Sequence, residues 1–164
     1  MITKETVFTK DADNKQLNVQ RAFEAPLDQV WKAWTVAKIL DQWWAPKPYQ
    51  AVTKSMDFRE GGRWLYLMKG PEGDGSWCQE NFKTIQQQQL ITNSVSFCDE
   101  QGNVNTDFPT MHWKKEFAPA GNATTVNIQI TFDTEADMET IVKMGFKEGF
   151  TAGLSNLDAY LSTH

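Results

Sequence analysis

The fold is decided by residues 123–164, which read ATTVNIQITFDTEADMETIVKMGFKEGFTAGLSNLDAYLSTH. The first part alternates between polar residues and four apolar ones, Val126, Ile128, Ile130 and Phe132. This alternation predicts a strand with one buried face and one solvated face. From residue 134 apolar residues recur at helical spacing, at Met138, Ile141, Val142, Phe146, Phe150, Leu154, Leu157 and Leu161. We therefore expect one long amphipathic helix that runs to the C-terminus and covers the dry face of a sheet.

Two details of this predicted helix bear on its ends and on its packing. Thr134, with Asp137 three residues later, resembles a capping box and marks the start of the helix. Gly145, Gly149 and Gly153 then follow at every fourth position, and each costs about 1 kcal/mol relative to Ala inside a helix. This spacing predicts a close approach to the helix, either by a ligand or by tight packing on the sheet, and packing is the favoured interpretation.

The preceding part of the chain supplies the sheet. Alternating or β-branched runs separated by turn residues predict strands at 52–58, 63–68, 76–85, 90–98 and 110–118, before the strand at 123–133. Two short helices are expected at 26–35 and 37–43, with Pro26 at the first helical position. Further upstream, 2–10 and 16–24 are extended segments, and the tail 1–15 is a strand or an arm. The order predicts an α+β protein.

Length and charge restrict the possible functions. A chain of 164 residues is expected to form a single domain over residues 1–164. The net charge of −5 and the scattered basic residues argue against a nucleic-acid partner, which requires clustered Lys and Arg. No run is long enough to span a membrane, and residues 1–5 lack the apolar stretch of a signal peptide, so we expect a cytoplasmic protein.

Cofactor and metal sites find no support in the sequence. Cys78 and Cys98 have neither CxxC spacing nor a nearby His, so we expect two reduced thiols, with a disulfide between them left open. The two histidines, His112 and His164, are too few for a metal cluster or a catalytic triad. His112 should face solvent, because it alternates with Trp113. No glycine-rich nucleotide motif is present, and we predict no cofactor.

Several motifs, taken in order, resemble one family. They are DQVWKAWT at 28–35, WWAP at 43–46, DFREGGRW at 57–64, MKGPEG at 68–73, MGFKEGF at 144–150 and LSNLDAYL at 154–161. Together they resemble the SRPBCC (START-like) superfamily, and within it the branch named after the activator of Hsp90 ATPase. The resemblance covers all of the chain except residues 1–15. It implies a helix-grip (START/Bet v 1-like) fold, in which a curved antiparallel sheet wraps around a long C-terminal helix over an apolar cavity.

The chain departs from the usual pattern of that family at two positions. Glu80 stands where a Gly is common, and Lys115 stands where an apolar residue is usual. Strand parity places both with apolar neighbours, where an unpaired charge is costly. They could pair inside the cavity or orient a polar ligand group. A strand bulge or strand end that turns them to solvent is the favoured interpretation.

The aromatic content suggests what lines the expected cavity. Seven Trp and ten Phe are many large side chains for a chain of this length, and they either fill a core or wall a cavity. Strand and helix parity directs one set of residues towards the interior, and Trp43 and Trp44 are expected near its mouth. We predict that together they line a ligand site: Trp43, Trp44, Trp64, Tyr66, Met68, Glu80, Phe82, Phe97, Met111, Trp113, Met144, Phe146 and Phe150. Cavities of this kind bind small apolar molecules.

Three functions remain open at this point. The leading hypothesis is a binding module for a small hydrophobic molecule, since no nucleophile or metal set is apparent. The second is an enzyme of the polyketide cyclase or dehydratase kind, with Glu80 as acid or base after desolvation has raised its pKa. The third is an Hsp90-type cochaperone, which only the resemblance implies. A homodimer is also possible, because the tail 1–15 could pair along a sheet edge of this chain or of a neighbour.

Overall fold

The computed structural model describes residues 6–11, 13 and 15–164. They form eight strands and four helices in the following order: β1 Val7–Lys10, β2 Gln16–Phe23, α1 Leu27–Thr35, α2 Ala37–Trp43, β3 Gln50–Met56, β4 Arg63–Lys69, β5 Gly75–Gln86, β6 Leu90–Cys98, β7 Met111–Ala120, β8 Ala123–Thr131, α3 Glu135–Lys143 and α4 Phe146–Thr163. The predicted strand at 90–98 and the predicted helix at 37–43 have the predicted bounds. The other elements differ at their ends, and α1 begins one residue after Pro26, which caps the helix instead of opening it.

All strands belong to one antiparallel sheet in the order β1-β2-β8-β7-β6-β5-β4-β3. After β2 the chain passes through α1 and α2 to β3, at the opposite edge of the sheet. The meander from β3 to β8 then brings it back beside β2. β1 pairs antiparallel with β2, so the described part of the N-terminal tail extends a sheet edge of its own chain. Residues 2–5 of the extended segment predicted at 2–10 lie outside the described residues.

The C-terminal segment is two helices, so the prediction of one long helix is wrong. α3 ends at Lys143, and α4 begins at Phe146 after Gly145, whose φ is +91°. This left-handed conformation is accessible to Gly without the steric cost that a Cβ would bring, and it redirects the chain between the two helices. The predicted helix start is confirmed, because Thr134 Oγ1 accepts a hydrogen bond of 3.1 Å from the Asp137 backbone N–H.

The helices pack on the inner face of the curved sheet, which is the helix-grip arrangement. In β8 the alternation predicted from sequence is confirmed, since Val126, Ile128 and Ile130 are fully buried and the residues between them are exposed. Helix α4 contributes Phe150, Leu154 and Leu157 to the same core. Among the described residues, no helix combines the length and the hydropathy needed to cross a bilayer.

The two glycines inside α4 have different surroundings. A Cβ at Gly153 would lie 3.1 Å from the carbonyl oxygen of Trp44 and 3.4 Å from that of Trp43. A Cβ at Gly149 would meet only the Pro46 side chain, at an ordinary 3.7 Å. The close approach predicted from the glycine spacing therefore occurs at Gly153, but against the backbone at the end of α2 and not against the sheet.

Candidate ligand cavity

A cavity of about 220 Å³ lies between the inner face of the sheet and the two C-terminal helices. Strands β4–β7 form one wall, the junction of α3 and α4 forms another, and the segment after α2 closes the third side. Its lining residues are Trp44, Pro46, Tyr66, Met68, Cys78, Val95, Ser96, Phe97, Met111, Trp113, Ile141, Met144, Gly145, Phe146, Gly149 and Phe150. The wall is almost entirely apolar, which suits an apolar occupant.

Nine of the predicted site residues border this cavity: Trp44, Tyr66, Met68, Phe97, Met111, Trp113, Met144, Phe146 and Phe150. The other four, Trp43, Trp64, Glu80 and Phe82, are buried elsewhere in the interior. Parity in a strand identifies which face a side chain occupies, but it does not give the depth along the strand. Trp64 is an example. Its ring stacks on that of Tyr66 with 4.0 Å between the centroids, and it lies two residues further along β4, away from the cavity.

Residues that sequence reasoning missed come mainly from the helix junction and from β6. Gly145 and Gly149 border the cavity because the chain breaks between α3 and α4. The regular spacing of the glycines was a usable signal for this region, although it could not reveal the break. Val95 could have been found from its alternation with Phe97, whereas Pro46 and Ser96 carried no periodic signal. Cys78 was expected only to be one of two reduced thiols.

The few polar groups of the cavity wall are neutral. Trp44 Nε1 donates a 2.9 Å hydrogen bond to the Tyr66 hydroxyl oxygen, and this bond ties the segment after α2 to β4. Burial raises the pKa of Tyr66 well above its ordinary value of 10.0. Burial likewise raises the pKa of the Cys78 thiol to about 12, with a smaller contribution from the charge of Cys98. The two cysteines are free, and the cavity therefore presents no charged group at neutral pH.

The side of the cavity at the α3–α4 junction reaches the protein surface. Met144, which is 50% exposed, belongs both to the cavity lining and to the outer surface. Phe146 and Phe150 stack at 5.6 Å between centroids, and Phe150 meets the Trp113 ring edge-on at 5.4 Å. An apolar molecule could therefore enter beside Met144 and pack against these aromatic rings.

Glu80 and Lys115 are buried and paired, so the expectation that they turn to solvent is wrong. Their exposed fractions are 1% and 3%, and Lys115 Nζ lies 3.4 Å from Glu80 Oε1. Both strands are regular at these positions, and cross-strand pairing through β6 brings the two side chains to the same inner face. Asn93 Nδ2 donates to the same carboxylate oxygen at 3.0 Å. Desolvation raises the pKa of Glu80, and the nearby Lys115 ammonium opposes this effect.

The Lys115 ammonium is enclosed by aromatic rings. Its Nζ lies 5.7 Å from the ring centroids of Trp34 and Trp44 and 5.4 Å from that of Trp113. Such distances allow cation–π attraction, which is stronger in a desolvated site. Two of these rings, Trp44 and Trp113, also line the cavity, whereas Lys115 itself does not.

The remaining candidates from the sequence carry no metal chemistry. The His112 side chain is 42% exposed and lies 3.9 Å from the Asp133 carboxylate, so it faces solvent as predicted. Within the part of the chain that the structure describes, no group of three His, Cys, Asp or Glu side chains could hold a metal ion.

Known structures resemble this chain over nearly its whole length. A crystal structure of a Mycobacterium smegmatis protein has a TM-score of 0.87 and 25% identity, covering 96% of this chain and 97% of that one. A solution structure of an Arthrobacter aurescens protein has a TM-score of 0.90 and 28% identity, covering 96% and 92%. The AHSA1 protein from Silicibacter pomeroyi has a TM-score of 0.73 and 19% identity, covering 90% and 98%, which shows the fold alone.

The comparison with curated proteins found no match. The family model described as Activator of Hsp90 ATPase homolog 1-like protein matches residues 24–162, which is most of the chain. The chain therefore belongs to the family of Activator of Hsp90 ATPase homolog 1-like proteins, within the SRPBCC superfamily.

Proposed function

We propose that this protein binds a small, mainly apolar molecule in the cavity between the sheet and the α3–α4 junction. The observation that carries the proposal is the cavity itself, because nearly all of its sixteen lining residues are apolar or aromatic. An apolar cavity of about 220 Å³ that opens to the surface beside Met144 suggests an occupant, because small molecules bind preferentially in concave apolar sites.

The dimensions and chemistry of the cavity restrict the ligand. Its volume of about 220 Å³ is smaller than the roughly 300–1,000 Å³ of typical drug-sized sites, so the ligand should be smaller than a steroid. The absence of charge from the lining disfavours ions. Medium-chain alcohols, monoterpenes and simple aromatic compounds have suitable size and polarity.

Native mass spectrometry and tryptophan fluorescence titration with such a panel would test the proposal. Trp44 and Trp113 line the cavity, so occupancy should change their emission. Val95→Phe adds a ring to the cavity wall. It should weaken binding by about tenfold or more, because the added ring would occupy space that the ligand needs. Val52→Phe is the matched control, because Val52 lies on the edge strand β3, is 41% exposed and is not part of the lining.

Binding of one molecule per chain, lost in the Val95 variant and kept in the Val52 variant, would support the proposal. If no compound of the panel binds, or if both variants bind alike, the cavity is not a ligand site. A general-base role for Glu80 has less support, because Glu80 does not border the cavity and its carboxylate is already paired with Lys115.

A second candidate function, an Hsp90-type cochaperone, is suggested by the family description. No residue of this chain argues for it independently, and fold does not decide function. A pull-down with purified Hsp90 would test it, and the absence of a complex at micromolar concentrations would exclude it. A homodimer and a cytoplasmic location likewise stay proposals, and light scattering of the purified protein would test the first.

A further inference from the structure

A buried polar cluster adjoins the cavity. It consists of Glu80, Asn93 and Lys115 and of Trp34 and Trp113, whose ring centroids lie 5.7 Å and 5.4 Å from Lys115 Nζ. Glu80 Oε1 accepts hydrogen bonds from Asn93 Nδ2 at 3.0 Å and from Lys115 Nζ at 3.4 Å. Charged and amide groups of this kind are rarely placed in a dry core unless each of their polar atoms has a partner.

Four atoms of the polar cluster have no hydrogen-bond partner among the described residues: Glu80 Oε2, Asn93 Oδ1, Trp34 Nε1 and Trp113 Nε1. Two of these atoms are acceptors and two are donors. A single unpartnered buried group is costly, and four in one cluster are unusual for a native protein. A polar group that can both accept and donate would satisfy several of them at once.

The polar cluster and the cavity are separated by one layer of side chains. In the sheet, Glu80 pairs with Val95 and Asn93 pairs with Trp113, and both partners line the cavity. Lys115 Nζ lies behind the Trp44 and Trp113 rings, 5.7 Å and 5.4 Å from their centroids. The rings of Trp44 and Trp113 therefore separate the apolar cavity from the polar cluster.

Trp44 is the part of this layer whose displacement would join the two spaces. It is the first residue after α2, and its backbone is held by the close approach of its carbonyl oxygen to Gly153, so that only its side chain could move. Its indole N–H makes one hydrogen bond, to the Tyr66 hydroxyl, and its ring contacts five other rings, those of Trp34, Trp43, Trp64, Trp113 and Phe150. A ligand group that partners the cluster atoms could compensate for the loss of this bond.

We propose that the polar cluster is a second compartment of the ligand site, which binds the hydroxyl group of a small apolar alcohol once Trp44 has moved aside. The inference rests on the proposed binding function and names the ligand class for the same site. A hydroxyl group can donate to Glu80 Oε2 or Asn93 Oδ1 while it accepts from Trp113 Nε1.

A neutral hydroxyl group fits the polar cluster better than a carboxylate. The Lys115 ammonium already has the Glu80 carboxylate as its partner, at 3.4 Å. A ligand carboxylate would lie next to that carboxylate, and two like charges in a dry site repel strongly. A purely apolar ligand would leave all four polar atoms without a hydrogen-bond partner.

The test compares cyclohexanol with methylcyclohexane, which have the same number of heavy atoms and differ by a hydroxyl in place of a methyl group. Each is titrated into ¹⁵N-labelled protein, and the seven indole N–H signals are recorded. Cyclohexanol should shift at least the Trp113 signal downfield, because a new hydrogen bond deshields the donated proton. Methylcyclohexane should perturb signals of lining residues without that downfield shift.

A double variant, Glu80→Gln with Lys115→Met, provides the second measurement, since replacing both members of a buried ion pair is tolerated better than replacing one. The preference for cyclohexanol over methylcyclohexane, measured as a ratio of dissociation constants, should fall about tenfold in this variant. If the variant does not fold, the wild-type spectra decide alone.

The outcomes separate this inference from the proposed function. If methylcyclohexane binds and cyclohexanol gives no downfield indole shift, the cavity is a ligand site and the polar compartment is refuted. Indole signals of Trp34 and Trp113 that already lie downfield without ligand would refute it too, since internal water would then satisfy the cluster. If neither compound binds, the polar compartment is refuted, and the larger panel decides on the proposed function.

Discussion

Replacing Gly153 with Ala tests whether the close approach of α4 to the end of α2 restricts that position to glycine. A Cβ there would lie 3.1 Å from the Trp44 carbonyl oxygen and 3.4 Å from the Trp43 carbonyl oxygen. Both oxygens belong to the backbone, so neither can move away by a simple rotation about a side-chain bond. Asn156 Nδ2 also donates to the Ala45 carbonyl at 3.1 Å, and this bond holds α4 against the same segment.

The magnitude follows from two opposing effects. Ala is about 1 kcal/mol more favourable than Gly inside a helix, which stabilises any Gly→Ala variant in α4. Overpacking a closely packed contact costs about 1–3 kcal/mol. Gly149→Ala is the matched control, since its Cβ would meet only the Pro46 side chain at 3.7 Å and should give the helix benefit alone. We therefore expect Gly153→Ala to be about 1–3 kcal/mol less stable than Gly149→Ala.

Urea unfolding followed by tryptophan fluorescence measures this difference directly, with thermal unfolding as a second assay. For a chain of this length, a difference of 1 kcal/mol corresponds to a change in Tm of about 2–4 °C. Equal stabilisation of the two variants would refute the reasoning, because it would show that α4 can move away from α2 at no cost. The glycine at 153 would then need another explanation.

Three further predictions concern buried groups. Tyr66→Phe should lower the free energy of unfolding in urea by about 1–3 kcal/mol, because Trp44 Nε1 loses its 2.9 Å partner, and an unchanged value would contradict this. Iodoacetamide at pH 8 should alkylate the half-buried Cys98 before Cys78, because the Cys78 pKa of about 12 leaves little thiolate. Peptide mapping would show the order of labelling, and faster labelling of Cys78 would argue against its burial. The raised pKa of Glu80 means that the folded state binds this proton more tightly than the unfolded state does. The stability of the wild type relative to Glu80→Gln should therefore fall as pH rises above about 4.5. A constant difference in the free energy of unfolding in urea between pH 4 and pH 8 would exclude this.

The elements of the fold could be predicted from sequence because each depends on local pattern. The alternation in β8 and the apolar spacing in α4 reflect contacts with a single dry interior, and both patterns are visible in the residues themselves. The break at Gly145 was not predictable in the same way. The apolar spacing continues through it, and a glycine in a helical pattern is compatible with either a helix interior or a left-handed turn.

The candidate site was only partly predictable. Alternation assigned Trp64, Tyr66 and Met68 to one face, yet only Tyr66 and Met68 reach the cavity. The position of the cavity along the strands depends on where α3 and α4 separate, and no local pattern encodes this distance. The role of these residues in ligand binding stays a prediction.

From the sequence alone, periodicity predicted an α+β protein with an aromatic interior, and the order of the motifs, through the family resemblance, implied the helix-grip fold and the family. Only the tertiary structure decided that Glu80 and Lys115 are buried as a pair. Residues 80 and 115 lie on strands β5 and β7, which are not adjacent, and they meet only after β6 has aligned both strands in register. A buried charge is tolerated when its partner is present, and no sequence pattern shows which partner will be within hydrogen-bond distance.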